Sequence, residues 1–316
     1  DPGYMIVDGT RIRDWKKGGH GDETFLQVLE NSCNPGFMTI GLRLGKEKLF
    51  EYIRKFGYGS KTGIDLLGES KGILFDTNKI GNVELATASF GQGNSTTPLQ
   101  ILNAASAAVN GGNLHKPYIL HAIGKQNNFI IENKPSLIRR VISEETSKIV
   151  ANALESVVAK GTGRACYIDG YRIGGKTGTA QIAENGHYLS NKFILSFLAI
   201  APMDDPKIGV YLAIQNPHNA IQYGGTTVGP LVKEIMSESL SFLNAKKNYE
   251  GISYQPRLWV DKPLYKIPEY IGMNKKDVKY NPYYNFIIEG TGDIIIGQMP
   301  EAGESIIEGG TVILYT

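Results

Sequence analysis

Cysteine is almost missing from this chain: Cys33 and Cys166 are the only two among 316 residues. So few, so far apart, form neither a disulfide framework nor a paired-cysteine metal site, and the redox compartment is left open. An excess of one charge is missing too. Lys and Arg number 33 against 31 Asp and Glu, a net charge of +2, too little to mark a nucleic-acid partner or an anionic surface. Long apolar runs are also lacking. The longest, "FILSFLAIAPM" at 193–203, is about half of the ~20 residues that a membrane-spanning helix needs, so it reads as a buried strand. What is present is a 41% hydrophobic content, enough for a full core, over a length that suggests one large and one small domain.

Residues 1–245 mix helical patterns, such as "GKEKLFEYIRKFG" at 45–57, with β-rich runs such as "KIGVYLAIQNP" at 207–217. That is a mixed α and β body. The polar, aperiodic stretch around 246–256 reads as a linker. Beyond it, over 257–316, "IPEYIGMNKKDVKY" reads as one short helix opened by a proline turn. "NFIIEG", "DIIIGQMP" and "GTVILYT" read as three short strands, giving a small αβββ module.

The triplet Lys-Thr-Gly occurs twice, at 61–63 and at 176–178. The first follows Gly59-Ser60 in a turn after an amphipathic helix, where Lys61 is most simply a solvated loop cation. The second follows "YIDGYRIGG" and runs into "TAQIA", strand-like on both sides, with glycines where another backbone comes close. A lysine and two threonines around Gly178 on an edge strand offer a cation, hydroxyls and backbone N–H groups to an extended anionic ligand. Ser32 and Asn34, two apart at the end of the helix-like "TFLQVLENS", add a hydroxyl and an amide.

A serine-x-asparagine pair and a Lys-Thr-Gly are two of the three motifs of penicillin-recognising serine acyltransferases, the third being Ser-x-x-Lys. The chain resembles the transpeptidase domain of class B penicillin-binding proteins. The resemblance rests on "DGTRIRDW", "GHGDETF", "SCN", "FGYGSKTGIDLLGE", "SFGQGNSTTPLQ", "GTGRAC", "GGKTGTAQ" and "YGG", in that order. It implies an α+β fold with a central antiparallel sheet, akin to serine β-lactamases, over 1–245. The segment 257–316 resembles a PASTA domain through Gln298, Pro300 and Gly303, and a single copy is more like the sporulation-type members. The implied activity is cross-linking of peptidoglycan stem peptides through a serine acyl-enzyme, with β-lactams as mimics. The implied roles are a cationic field from Lys176, carboxylate-binding hydroxyls from Thr177 and Thr179, and an oxyanion-hole N–H from Thr179. Ser32 would relay a proton and Asn34 would bond the substrate's peptide amide. The resemblance also implies an extracytoplasmic location, an N-terminal membrane anchor outside this chain, and a membrane glycosyltransferase partner.

No serine in the sequence has a lysine three residues later. By the resemblance, the nucleophile lies upstream of Arg13-Asp14-Trp15, in a portion of the protein not in this chain. The alternative is a non-catalytic wall-binding protein that keeps the cleft without the nucleophile. The acyl transfer itself requires no cofactor. Asp14, His20 and Cys33 offer the oxygen, nitrogen and sulfur that zinc accepts, at a spacing similar to that of some class B members that hold zinc beside the active site. Asp1 is then the second aspartate, with Asp22 as the alternative. The same residues also read without a metal, His20 as a loop residue and Cys33 as a small buried side chain.

Overall fold

A computed structural model describes residues 1–125, 128–184, 187–218, 221–256, 264–307 and 311–316. It divides into two units, Asp1–Pro256 and Arg257–Thr316. The larger unit opens with a hairpin of β1 (Tyr4–Val7) and β2 (Thr10–Arg13). Asp8 and Gly9 both take positive φ at its tip, as a two-residue turn of matching twist requires. Helices α1 (Phe25–Asn31), α2 (Asn34–Leu44), α3 (Lys46–Lys55), α4 (Asn82–Ser89) and α5 (Pro98–Val109) follow. Thr24 and Thr97 start α1 and α5 with capping boxes to Gln27 and Gln100, and Pro98 opens α5, where its missing N–H costs nothing.

Four short strands come next: β3 (Asn113–Lys116), β4 (Ala122–Lys125), β5 (Asn128–Glu132) and β6 (Ser136–Arg140). They pair as β3 with β6 and β4 with β5. After α6 (Glu144–Ala159) the chain lays down β7 (Gly174–Glu184), β8 (His187–Ala201) and β9 (Ile208–Gln215), then α7 (Gly224–Thr227) and α8 (Gly229–Phe242). The three strands form an antiparallel sheet in the order β7-β8-β9, which puts β7 at an edge among the described residues.

The apolar run at 193–203 lies, as far as Ala201, in β8, the central strand, and both of its faces are covered. Leu195, Phe197 and Ala199 pack with Val232, Met236 and Leu240 of α8. Ile200, on the opposite face, packs with Val109 of α5 and Ala151 of α6. Two-sided burial explains why the strand reads as continuous rather than alternating hydrophobic residues. Fully buried Leu195 and Phe197 each contribute about 1.5–3 kcal/mol of transfer free energy. No helix among the described residues is long and apolar enough to cross a membrane.

The expected linker at 246–256 lies within the larger unit. The Asn248 N–H donates to the Gly170 carbonyl at 2.8 Å and the Gln255 N–H to that of Ala159 at 2.9 Å. The Ile252 N–H donates to Glu155 Oε1 at 2.9 Å, and the Tyr254 ring lies 4.9 Å from that of Tyr167. A strap that satisfies its amides on tertiary partners has no periodicity of its own, and so reads as a linker.

The smaller unit contains β10 (Leu264–Lys266), β11 (Asn285–Glu289), β12 (Gly297–Met299), β13 (Ser305–Ile307) and β14 (Thr311–Tyr315). Strand β14 lies between parallel β11 and antiparallel β12, and β10 pairs with β13. Ile267, Tyr284, Ile295, Val312 and Leu314 form its core. The expected helix is replaced by a single 3-10 turn, Lys275–Asp277. Gly272 at φ +87° breaks any helix before that turn, and Val278 after it is extended. Parts of the expected module, 257–263 and 308–310, lie outside the described residues.

Candidate active site

Helix α1 ends at Ser32, which takes the left-handed conformation, φ +57° and ψ +41°. The residue after it, Cys33, caps α2 by accepting the Gly36 N–H on Sγ at 3.3 Å. Pro35 stands in the first turn of α2, where a proline is tolerated and α1 cannot continue through it. A non-glycine residue at positive φ is costly, and here it turns the chain sharply between two helices. Ser32 and Asn34 flank that turn, with Cys33 buried between them.

Strand β7 supplies the other side. Lys176 Nζ donates to Ser32 Oγ at 2.7 Å and to the Thr177 carbonyl at 3.0 Å. Burial pulls the Lys176 amine down to about 8. The Thr177 hydroxyl lies 3.1 Å from that of Thr162, and Thr179 Oγ1 accepts the Gly224 N–H at 3.2 Å. A hydroxyl has one donor and two acceptor sites, so Thr179 keeps its O–H free for an anion. Gly178 and Gly224 allow close approach: a Cβ at Gly224 would lie 2.5 Å from the carbonyl oxygens of Gly178 and Ser196. Asn34 directs its amide nitrogen to the Arg13 carbonyl at 3.4 Å, and its N–H to Asp14 Oδ1 at 3.0 Å.

The other Lys-Thr-Gly copy is a closed turn. Lys61 is exposed, while the Thr62 N–H and hydroxyl and the Gly63 N–H all donate to the Glu69 carboxylate.

Beside Ser32, donor atoms of Asp1, His20, Glu23 and Cys33 lie within 4.8 Å of one another. His20 Nδ1 faces both Asp1 Oδ2 at 3.0 Å and Asp14 Oδ2 at 2.8 Å, and Cys33 Sγ lies 3.4 Å from Asp1 Oδ2. One ring N–H cannot serve two carboxylates. Asp14 Oδ2, His20 Nε2 and Glu23 Oε2 are buried without a hydrogen-bond partner, an expensive arrangement unless a cation answers it. Burial, then a hydrogen bond with Glu23, pushes the Cys33 thiol up to about 12. The donor set therefore fits a metal ion of the zinc type. Neither Asp14 nor Asp22 is among the four converging donors, although Asp14 Oδ2 touches His20, whereas Glu23, the neighbour of Asp22 in the "GDETF" block, is.

Trp15 was not singled out in the sequence. Its Nε1–H donates to the Asn31 carbonyl at 3.0 Å, and its ring lies against His20 and Tyr223, with centroids 5.4 and 5.6 Å away. Thr162 was missed as well, although it stands in the "GTGRAC" block.

Residues 1–237 match the family described as the penicillin binding protein transpeptidase domain. The chain is 49% identical to Stage V sporulation protein D of Bacillus subtilis, over all of this chain and 49% of that protein. It is 38% identical to a peptidoglycan D,D-transpeptidase FtsI homolog of Mesostigma viride, over 67% of this chain and 38% of the relative. The chain thus spans half or less of the length of these relatives. Among solved structures, penicillin-binding protein 3 from Mycobacterium tuberculosis complexed with ampicillin aligns with a TM-score of 0.73 at 28% identity. That match covers 81% of this chain and 60% of the other. The same protein complexed with aztreonam gives a TM-score of 0.72 at 29% identity, covering 81% and 59%.

Proposed function

The chain belongs to the penicillin-binding protein transpeptidase family, and from that membership we propose that it serves a peptidoglycan D,D-transpeptidase of the serine type. The observation that carries this reading is the 2.7 Å contact between Lys176 Nζ and Ser32 Oγ. It sets a cation, a relay hydroxyl and the edge strand β7 around one point. A serine outside residues 1–316, giving its proton to the lysine of its own Ser-x-x-Lys motif, attacks the carbonyl carbon of a D-Ala-D-Ala bond. The Thr179 N–H stabilises the developing oxyanion, an interaction of a few kcal/mol at such sites. Lys176, Thr177 and Thr179 hold the terminal carboxylate, with Gly178 admitting the substrate backbone, and Asn34 bonds its peptide amide. Ser32, receiving a hydrogen bond from Lys176, passes its own proton to the leaving D-alanine amine. The ester left on the serine is then resolved by an amine of a second stem peptide, closing the cross-link. β-Lactams occupy the same cleft as substrate mimics.

Asp1, Asp14, His20 and Cys33, with Glu23 at hand, would hold a structural zinc that ties down the turn carrying Ser32 and Asn34. The acyl transfer draws no step from it. The smaller unit is read as a PASTA module and the whole as a sporulation-type enzyme. It would work on the outer face of the cell membrane, anchored by upstream sequence and paired with a membrane glycosyltransferase.

The test is mass spectrometry of the full-length protein and of residues 1–316 after incubation with a labelled penicillin. A stable adduct on an upstream serine in the former, and none in the latter, is expected. An adduct on any residue from Asp1 to Thr316 would overturn the placement of the nucleophile. Absence of an adduct in both would leave the wall-binding reading.

A further inference from the structure

The rear of the cleft holds a buried carboxylate that the acyl transfer does not use. Glu30, the penultimate residue of α1, is 9% exposed. Its Oε1 accepts a short hydrogen bond from the Ser156 hydroxyl of α6. Its backbone carbonyl accepts the Thr162 N–H at 2.8 Å. Glycine at 161 makes this possible, because a Cβ there would lie 2.3 Å from the Glu30 carbonyl oxygen and 2.8 Å from its Cα. Thr162 in turn presents its hydroxyl to that of Thr177 at 3.1 Å. With Thr162 as the donor in that pair, the Thr177 O–H is left to donate to a substrate carboxylate.

The two arms of the cleft are thus joined twice. On the open side Lys176 reaches Ser32. On the rear side the backbone carbonyl of Glu30, two residues before Ser32, reaches Thr177, one residue after Lys176, through Thr162. A buried carboxylate is retained only where hydrogen bonds satisfy it; here the carboxylate fixes α1 to the end of α6 through Ser156, which holds the Glu30 backbone carbonyl where it meets the turn at 161–162. We propose that Glu30 is a positioning residue, holding the Ser32 turn and the Thr177 strand at the separation that the acyl transfer requires. This rests on the transpeptidase reading for its chemistry, though not for its geometry.

The experiment measures acylation of the full-length protein by a fluorescent penicillin, separating the limiting rate from half-saturation. Glu30→Ala should lower the limiting rate by roughly ten- to a hundredfold, the effect of a small misplacement of reacting groups. Glu30→Gln keeps an acceptor for Ser156 and should retain most of the rate. Thr162→Val should act mainly on half-saturation, through the carboxylate grip of Thr177. If Glu30→Ala does not fold, Ser156→Ala takes its place, with the same direction expected. Wild-type acylation by the folded fraction of Glu30→Ala or Ser156→Ala would overturn the proposal, as would a Glu30→Gln variant no better than Glu30→Ala. If the wild-type protein is not acylated at all, the transpeptidase reading fails, and the positioning is read from the Lys176 amine by NMR titration. Withdrawal of the Ser32 turn in Ser156→Ala should admit water and move that titration up toward an ordinary lysine. An unchanged titration would sink it.

Discussion

Lys176 and Ser32 are 144 positions apart in the chain and 2.7 Å apart between Nζ and Oγ. The lysine sits on the edge strand of the sheet, and the serine at a left-handed turn between two helices. Both are partly buried, and burial draws the lysine's titration down to about 8.

That titration sets a pH dependence. Below pH about 8 the amine is charged and grips the carboxylate, and above it the charge is lost, so the second-order rate of acylation should fall as pH rises through about 8. The effect of this lysine on stability runs the opposite way. Between about 8 and the ordinary lysine value of 10.5 the unfolded lysine binds more protons than the folded one, so this group makes the fold more stable with rising pH. A pH–rate profile flat to pH 10 would contradict the assignment.

Ser32 separates strain from function. Glycine adopts its φ of +57° without steric cost, so Ser32→Gly should be more stable than Ser32→Ala, which lacks the same hydroxyl, by up to about 1 kcal/mol. The same variant, like Ser32→Ala, should lose acylation by roughly a hundredfold or more if the hydroxyl relays a proton. Thermal melts and acylation kinetics on the two variants test both halves together. Retained activity in Ser32→Gly would remove the serine from the mechanism.

Gly224 is where the loop before α8 meets the strand. An added Cβ would be 2.5 Å from two carbonyl oxygens, those of Gly178 and Ser196. Backbone must shift to accept it, so Gly224→Ala should cost about 1–3 kcal/mol and break the hydrogen bond to Thr179. Chemical denaturation measures the first effect and penicillin half-saturation the second.

For the metal cluster, protein prepared without chelator should carry about one zinc per chain, and Cys33→Ser or His20→Ala should reduce that occupancy. Stripping the ion should speed hydrogen exchange over residues 28–36. Elemental analysis that finds no metal would end this reading.

Residues from 257 to 316 have their own core around Ile267, Tyr284, Ile295, Val312 and Leu314. The isolated segment should unfold cooperatively in denaturant, as monitored by tyrosine fluorescence. A broad, non-cooperative transition would mean that the core is too small to stand alone.

Patterns confined to a few neighbouring residues were legible in the sequence. The apolar run at 193–203, the amphipathic helix after Gly45, the distinction between the two Lys-Thr-Gly triplets, and the family itself could all be read from local order. The helix expected over 267–280 could not, because Gly272 and a single capped turn at Lys275 decide it against a proline-led pattern. The strap at 246–256 looked unstructured because its partners, Gly170, Glu155 and Ala159, are remote in the chain. Tertiary structure alone joined Glu30 to Ser156 and Thr162, and brought Glu23 rather than Asp22 to His20 and Cys33. A side chain's chemistry is written in its residue type, and its helix or strand in its neighbours. Which two distant side chains share a hydrogen bond depends on how elements pack, a relation that local pattern does not encode.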